Sequence, residues 1–226
     1  KGKNPLKDVR VRRALYQAID MDSIKTKLMR GAAVPAGNVI APGVNGYDAT
    51  LDKRMAYNPE VAKKLLSEAG YPDGFELGLQ CPNDRYVNDS EMCQAIAAMW
   101  TRIGVKTALV AETKALYLPK ALKRDVTAYL LGWQPSGNDV HNSLWSLLNS
   151  LQPTGQGRFN LGRFSNPKLD SLTDRIGTEV DAGKRQALVQ EALRLVADEL
   201  PVLPLLHQMI SWGMRANVEV VQQPDN

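Results

Sequence analysis

The sequence predicts an α/β fold, a mixed sheet flanked by helices, on three observations. First, strand-like runs alternate with helical patterns through the middle of the chain: "FELGLQC", "NDSEMCQAIAAMWTRIG", "VKTALV", "TKALYLPKALKR", "VTAYLLGW" and "NDVHNSLWSLLNS" follow one another. Strands separated by helix-length segments build sheets whose crossover helices cover the faces. Second, 226 residues with 44% hydrophobic content suffice for one large α/β domain or two small ones. Third, no apolar run approaches the roughly 20 residues needed to span a bilayer.

Each element has a local reason. "DVRVRRALYQAID" places Val11, Leu15, Ala18 and Ile19 at helical spacing behind Asp8, a candidate N-cap. "MDSIKTKLMRG" reads as a second helix, capped by Asp22 and stopped by Gly31. "AAVPAGNVIAPGVNGYD" carries Pro and Gly without a period and reads as an ordered loop, because Val34, Val39, Ile40 and Val44 remain in it. In "NPEVAKKLLSEAG", Asn58 caps, Pro59 opens the first turn, Ala62, Leu65, Leu66 and Ala69 face inward, and Gly70 ends the helix. Pro119 bends or interrupts the helix that contains it. After the Gly-rich "PTGQGRFNLGRFSNP" come helices at "PKLDSLTDRIGTE" and "AGKRQALVQEALRLVADEL". "PVLPLLHQMISWGM" and "NVEVV" read as strands, the prolines confining the first to an edge or a crossing.

Charge and motif content exclude several function classes. A net charge of +4, with acids interleaved among the bases, lacks the one-sided basic stripe of a nucleic-acid binder. No G-x-S-x-G elbow surrounds Ser136, and His141 and His207 read as packed or surface histidines rather than bases. Asp125 and Asp139 are not marked as a glycosidase pair. "GRFNLGRF" is not a P-loop, and no metal-ligand cluster or cofactor motif is present. No catalytic residue is expected. Cys81 shares a strand face with Phe75, Leu77 and Leu79, while Cys93 shares a helix face with Ile96, Ala97 and Trp100. The two sulfurs point into one layer, either as buried thiols or as a disulfide, the latter implying an oxidising compartment.

One stretch points to binding. In "LLGWQPSGNDVHNSLWSLL", Trp133 ends an apolar strand and the chain turns through Gln, Pro, Ser, Gly, Asn and Asp. The carboxyl ends of strands are where α/β sheets hold ligands. Asp139 reads as a helix N-cap and as a ligand contact at once, whereas Trp100, Trp145 and Trp212 read as core. Gly132 and Asn138 offer backbone or amide contacts. "CPNDRYVND" follows another strand: Arg85 could hold a carboxylate bidentately, with Asn83 and Tyr86 as further candidates.

"NPLKDVRVRRALYQAIDMDSI", "YNPEVAKKLLSEAGYPDGF", "NDRYVND", "YLLGWQPSGND" and "LGRFSNPKLDSLTDRIGTEVDAGKRQALVQEALRLVADELPVLPL", in this order, resemble the peptide/nickel (family 5) class of ABC-transporter extracellular substrate-binding proteins. The resemblance covers essentially the whole chain. It implies one lobe of a two-lobed, type II-like periplasmic binding protein, with residues 1–226 forming the C-terminal ligand-binding lobe of a longer protein. It implies a small-molecule or peptide ligand closed between two lobes, a missing N-terminal lobe, a membrane permease as partner, and a periplasmic or extracytoplasmic location, with a lipoprotein anchor allowed. It also implies that Trp133 lies at the interlobe cleft. Peptide-binding members often carry an acid three residues after that Trp to pair with the ligand's α-amino group. Ser136 stands there instead, which leaves peptides, opines, metal chelates and other solutes open. The alternatives are a ligand-sensing domain of a transcription regulator and a hydrolase using Asp139 or His141.

Overall fold

The computed structural model describes residues 4–209 and 213–219. A 3-10 turn (Pro5–Lys7) leads into helix α1 (Val9–Gln17), whose N-cap Asp8 accepts from the Arg10 N–H at 2.9 Å. Val11, Ala14 and Leu15 form its inward stripe and are buried. Helix α2 (Met21–Ser23) starts two residues earlier than the Asp22 cap implied. Asp20 is the cap, its carboxylate accepting from both the N–H and the hydroxyl of Ser23. After Ser23 the helix widens into a π turn over Ile24–Leu28, closed by an i→i+5 bond from the Met29 N–H to the Ile24 carbonyl, 2.9 Å. The Pro/Gly-rich segment that follows contains a short strand, β1 (Ala33–Pro35). Helix α3 (Pro59–Glu68) is capped by Asn58 and left through Gly70 at φ +91°, a conformation that costs glycine nothing.

Strand β2 (Phe75–Pro82), helix α4 (Asp89–Arg102), strand β3 (Val105–Glu112), helix α5 (Lys114–Leu122) and strand β4 (Ala128–Tyr129) make two crossover units. Pro119 lies inside α5, which continues through it. The strands order β3–β2–β4, all parallel, with Phe75 opposite Val105 and Leu79 opposite Ala128. The α/β class holds, and among the described residues the strands divide into two sheets rather than one mixed sheet. The three-stranded sheet is parallel, and β1 pairs antiparallel with β5 (Leu206–Gln208) elsewhere. β4 is also shorter than the apolar run 126–133, so Trp133 stands beyond the strand end rather than on it. Leu130 and Leu131 stay apolar because they fill two different cores.

Helix α6 (Val140–Ser143) runs into a second π turn, Leu144–Leu148, and α7 (Pro167–Thr178) and α8 (Ala182–Glu199) pack against it. Residues 217–219 are not strand, and the rest of the predicted final strand lies outside the described residues, as does Trp212.

Two main cores result. One joins α1, α3 and α4 to the sheet through Leu15, Leu66, Leu79, Ile96 and Trp100, whose indole N–H donates to the Leu15 carbonyl at 2.9 Å. Each fully buried Leu or Ile there contributes roughly 1.5–3 kcal/mol. A disulfide between Cys81 of β2 and Cys93 of α4 crosses this core. The other core joins α6, α7 and α8 around Leu144, Leu169, Ile176 and Leu193.

Candidate functional site

In a parallel sheet every strand ends on the same side, so the segments after β2, β3 and β4 gather at one edge. The loop after β2 is shaped by a single acid. Asp89, 2% exposed at the start of α4, accepts the Arg85 and Tyr86 N–H groups with one oxygen, both at 2.9 Å. Its other oxygen takes the Ser90 N–H at 2.8 Å. Asn88 enters the left-handed region (φ 53°) to let the chain turn, and its amide donates to the Leu28 carbonyl. Asn83 and Asp84 tie the loop to β3 and α5: the Asn83 N–H bonds the Glu112 carbonyl, and Asp84 accepts from the Lys114 N–H. Asn83 and Arg85 are exposed and Tyr86 is half-buried.

The segment after β4 is anchored at both ends. The Tyr117 hydroxyl donates to the Leu130 carbonyl at 2.6 Å. Gly132 then passes directly under the Tyr86 ring: a Cβ there would meet the ring carbons at 2.5 Å, so any side chain would displace Tyr86. Trp133 follows, half-buried. Its indole N–H donates to the Ser143 hydroxyl at 3.1 Å, and its ring tilts onto Phe159 at 5.2 Å between centroids. The last residue of α6 and the Gly-rich loop thus supply part of the Trp133 seat.

Phe159 was not anticipated. It belongs to the Gly-rich loop, which is docked rather than loose. Asn160 donates to the Asn149 and Phe164 carbonyls and accepts from the Phe164 N–H. Asn149, fully buried, accepts in turn from Thr173. Gly157 and Phe159 N–H groups bond the Trp145 and Ser146 carbonyls. An aromatic between two glycines was the available signal, but its target is set by contacts far away in the chain.

Asp139 caps α6 by accepting from the His141 N–H at 2.8 Å. The same oxygen takes Arg185 of α8 at 2.7 Å, and the other takes the Asn45 amide at 2.6 Å. Partial burial alone raises its carboxyl pKa. The His141 N–H, Arg185 and Asn45 together outweigh that and hold it below the ordinary value. Both oxygens are thus engaged within the protein, and two of the three partners, Arg185 and Asn45, carry no local sequence signal. Asn138, at φ 48°, reaches the Gly43 carbonyl with its amide. Ser136 is exposed, and its N–H bonds the Asn142 side chain. Of the predicted residues, Tyr86, Gly132 and Trp133 form one contact group, with Arg85 5.5 Å above the Tyr86 ring. Ser136, Asn138 and Asp139 form a second group around Asn45 and α6, and Asn83 faces β3. His141, in α6, packs its ring against Gly177, whereas His207 lies 3.3 Å from Asp52 and apart from both groups.

Residues 1–154 match the family described as bacterial extracellular solute-binding proteins, family 5 Middle. Heme-binding protein A of Haemophilus influenzae is 33% identical over 213 residues, which covers 92% of this chain and 38% of that protein. The dipeptide-binding protein of Escherichia coli is 31% identical, over 96% of this chain and 41% of its own length. The solved structure of HbpA2 from Haemophilus parasuis superposes with a TM-score of 0.83 at 29% identity, covering 91% of this chain and 40% of that one. The chain therefore spans about two fifths of the length of these relatives. With the family match extending over most of the chain and the fold shared with solved relatives, this chain belongs to the family 5 bacterial extracellular solute-binding proteins.

Proposed function

We propose that residues 1–226 form the C-terminal ligand-binding lobe of the substrate-binding component of an ABC importer. It captures a peptide-like or other small polar solute against a second lobe and delivers it to a membrane permease. No bond of the solute is broken; the work is capture and hinge closure. The observation that carries the reading is the convergence of the Tyr86–Gly132 contact and the Trp133–Phe159 pair at the carboxyl edge of the parallel sheet. The family membership and relatives named for heme and dipeptides support it. The Cys81–Cys93 disulfide supports a periplasmic or extracytoplasmic location and weighs against a cytosolic regulator.

Trp133 is the platform, Arg85 the anionic contact, and Gly132, Asn138, Asn83, Tyr86 and Ser136 line the mouth. Asp139 supports the site from behind, its charge answered by Arg185. With Ser136 neutral and Asp139 committed, this lobe holds no acid for a free α-ammonium in the turn 133–139. Native mass spectrometry of the full-length protein, purified from its own cell envelope without denaturation, tests the reading. A co-purifying small solute that does not depend on a free amine is expected. A protein that stays empty and binds no member of a panel of peptides, opines and metal chelates contradicts it.

A further inference from the structure

Two sets of contacts, joined through the Gly132–Trp133 peptide bond, run across the sheet edge. The Arg85 guanidinium sits over the Tyr86 ring, the Tyr86 ring lies on Gly132, and Trp133 follows Gly132 in the chain. Trp133 leans on Phe159, and the Arg158 guanidinium sits 5.7 Å above the Phe159 ring. The row therefore begins and ends with a cation and is aromatic between. Both arginines are exposed, and among the described residues neither has a carboxylate partner. This contrasts with Arg185, which is matched to Asp139. An arginine resting on an aromatic face keeps its fork of N–H donors free for an anion. The loop that carries Arg158 is fixed by the Asn160 amide bonds to the Asn149 and Phe164 carbonyls, so the cation is presented on a rigid support.

We propose that Arg158 is a second anion-binding residue of this site, and that the solute is an organic anion. It would carry carboxylates toward Arg85 and Arg158 and an apolar or planar body over Trp133. The proposal rests on the solute-binding reading above and narrows its substrate class.

The test is calorimetric titration of the full-length protein with three probes. These are N-acetyl-Phe-Glu, its neutral counterpart N-acetyl-Phe-Gln-amide, and the dicationic Phe-Lys-amide. The acidic probe is expected to bind at least about 10-fold more tightly than either other, the scale of a charge-assisted hydrogen bond. Arg158→Gln should erase most of that preference, Arg158→Lys should retain part of it, and Arg163→Gln, in the same loop, should leave it intact. Circular dichroism of each variant checks that the fold is kept. An unchanged acid-to-amide ratio in Arg158→Gln, or equal binding of Phe-Lys-amide by the wild type, overturns the proposal and leaves solute binding standing. Failure of all three probes, with no solute co-purifying, overturns both.

Discussion

Two strand-to-helix connections make up the candidate site, and each opens its helix on a carboxylate that is already engaged. They are engaged differently. After β2, Asp89 takes three backbone N–H groups from within five residues, and a disulfide staples the strand to the helix beside it. After β4, Asp139 takes one local N–H and two side chains, Asn45 and Arg185, that lie 94 and 46 residues away. The first connection is a self-contained turn. The second holds its shape only when three distant parts of the chain have come together. An acid at the mouth of a binding edge is therefore no proof of a ligand contact; its partners decide.

Removing the staple should have the largest effect on this contrast. In Cys81→Ser/Cys93→Ser the lost constraint on the unfolded chain is about 3 kcal/mol for a sequence separation of 12. Urea unfolding should show a lower midpoint with the fold retained. Asp89→Ala comes next. It leaves three N–H donors without their acceptor in a partly buried setting, at about 2 kcal/mol, and should loosen residues 83–88 in hydrogen exchange. If Asp89→Ala proves neutral, the loop is held by its ends alone.

Asp139→Asn should cost less, about 1 kcal/mol, because a partly exposed ion pair is screened and the amide keeps some of the hydrogen bonds. Its signature is pH dependence. The folded-state pKa of Asp139 is lowered, so its contribution is fully present above the unfolded value near 3.8 and is lost as pH falls through the folded value. Wild type minus Asp139→Asn stability should thus be constant from pH 7 to 5 and shrink below pH 4. A difference that grows on acidification contradicts the ion-pair account. Smallest is Trp133→Phe, which loses the bond to Ser143 at a cost of ~1 kcal/mol or less. Thermal unfolding should barely register it.

The same contrast explains what could be read in advance. Asp8 and Asn58 were legible as caps because cap, first turn and apolar stripe all lie within twelve residues. The β/α alternation was legible because each crossover helix covers its own strand. Asp20 was missed in favour of Asp22 because both precede the same pattern, and only the Ser23 bonds separate them. The π turns at 24–28 and 144–148 insert one residue into a period, which composition does not register. The length of β4 was overestimated since Leu130 and Leu131 remain apolar for two cores rather than one sheet. At the candidate site, the positions of Trp133, Tyr86 and Gly132 after strand ends were readable in the sequence. Phe159, Arg158, Arg185 and Asn45 were not, as their roles arise from contacts across the chain.

The most direct measurement is calorimetric titration of the co-purifying solute, or of N-acetyl-Phe-Glu, into the full-length wild type, Asp139→Asn and Trp133→Ala. The account predicts that Trp133→Ala loses at least about 10-fold in affinity, consistent with a stacked aromatic worth 1–3 kcal/mol. It predicts that Asp139→Asn stays within about threefold of wild type, while its unfolding midpoint falls. An Asp139→Asn protein of undiminished stability that no longer binds would contradict it, and would return Asp139 to the ligand.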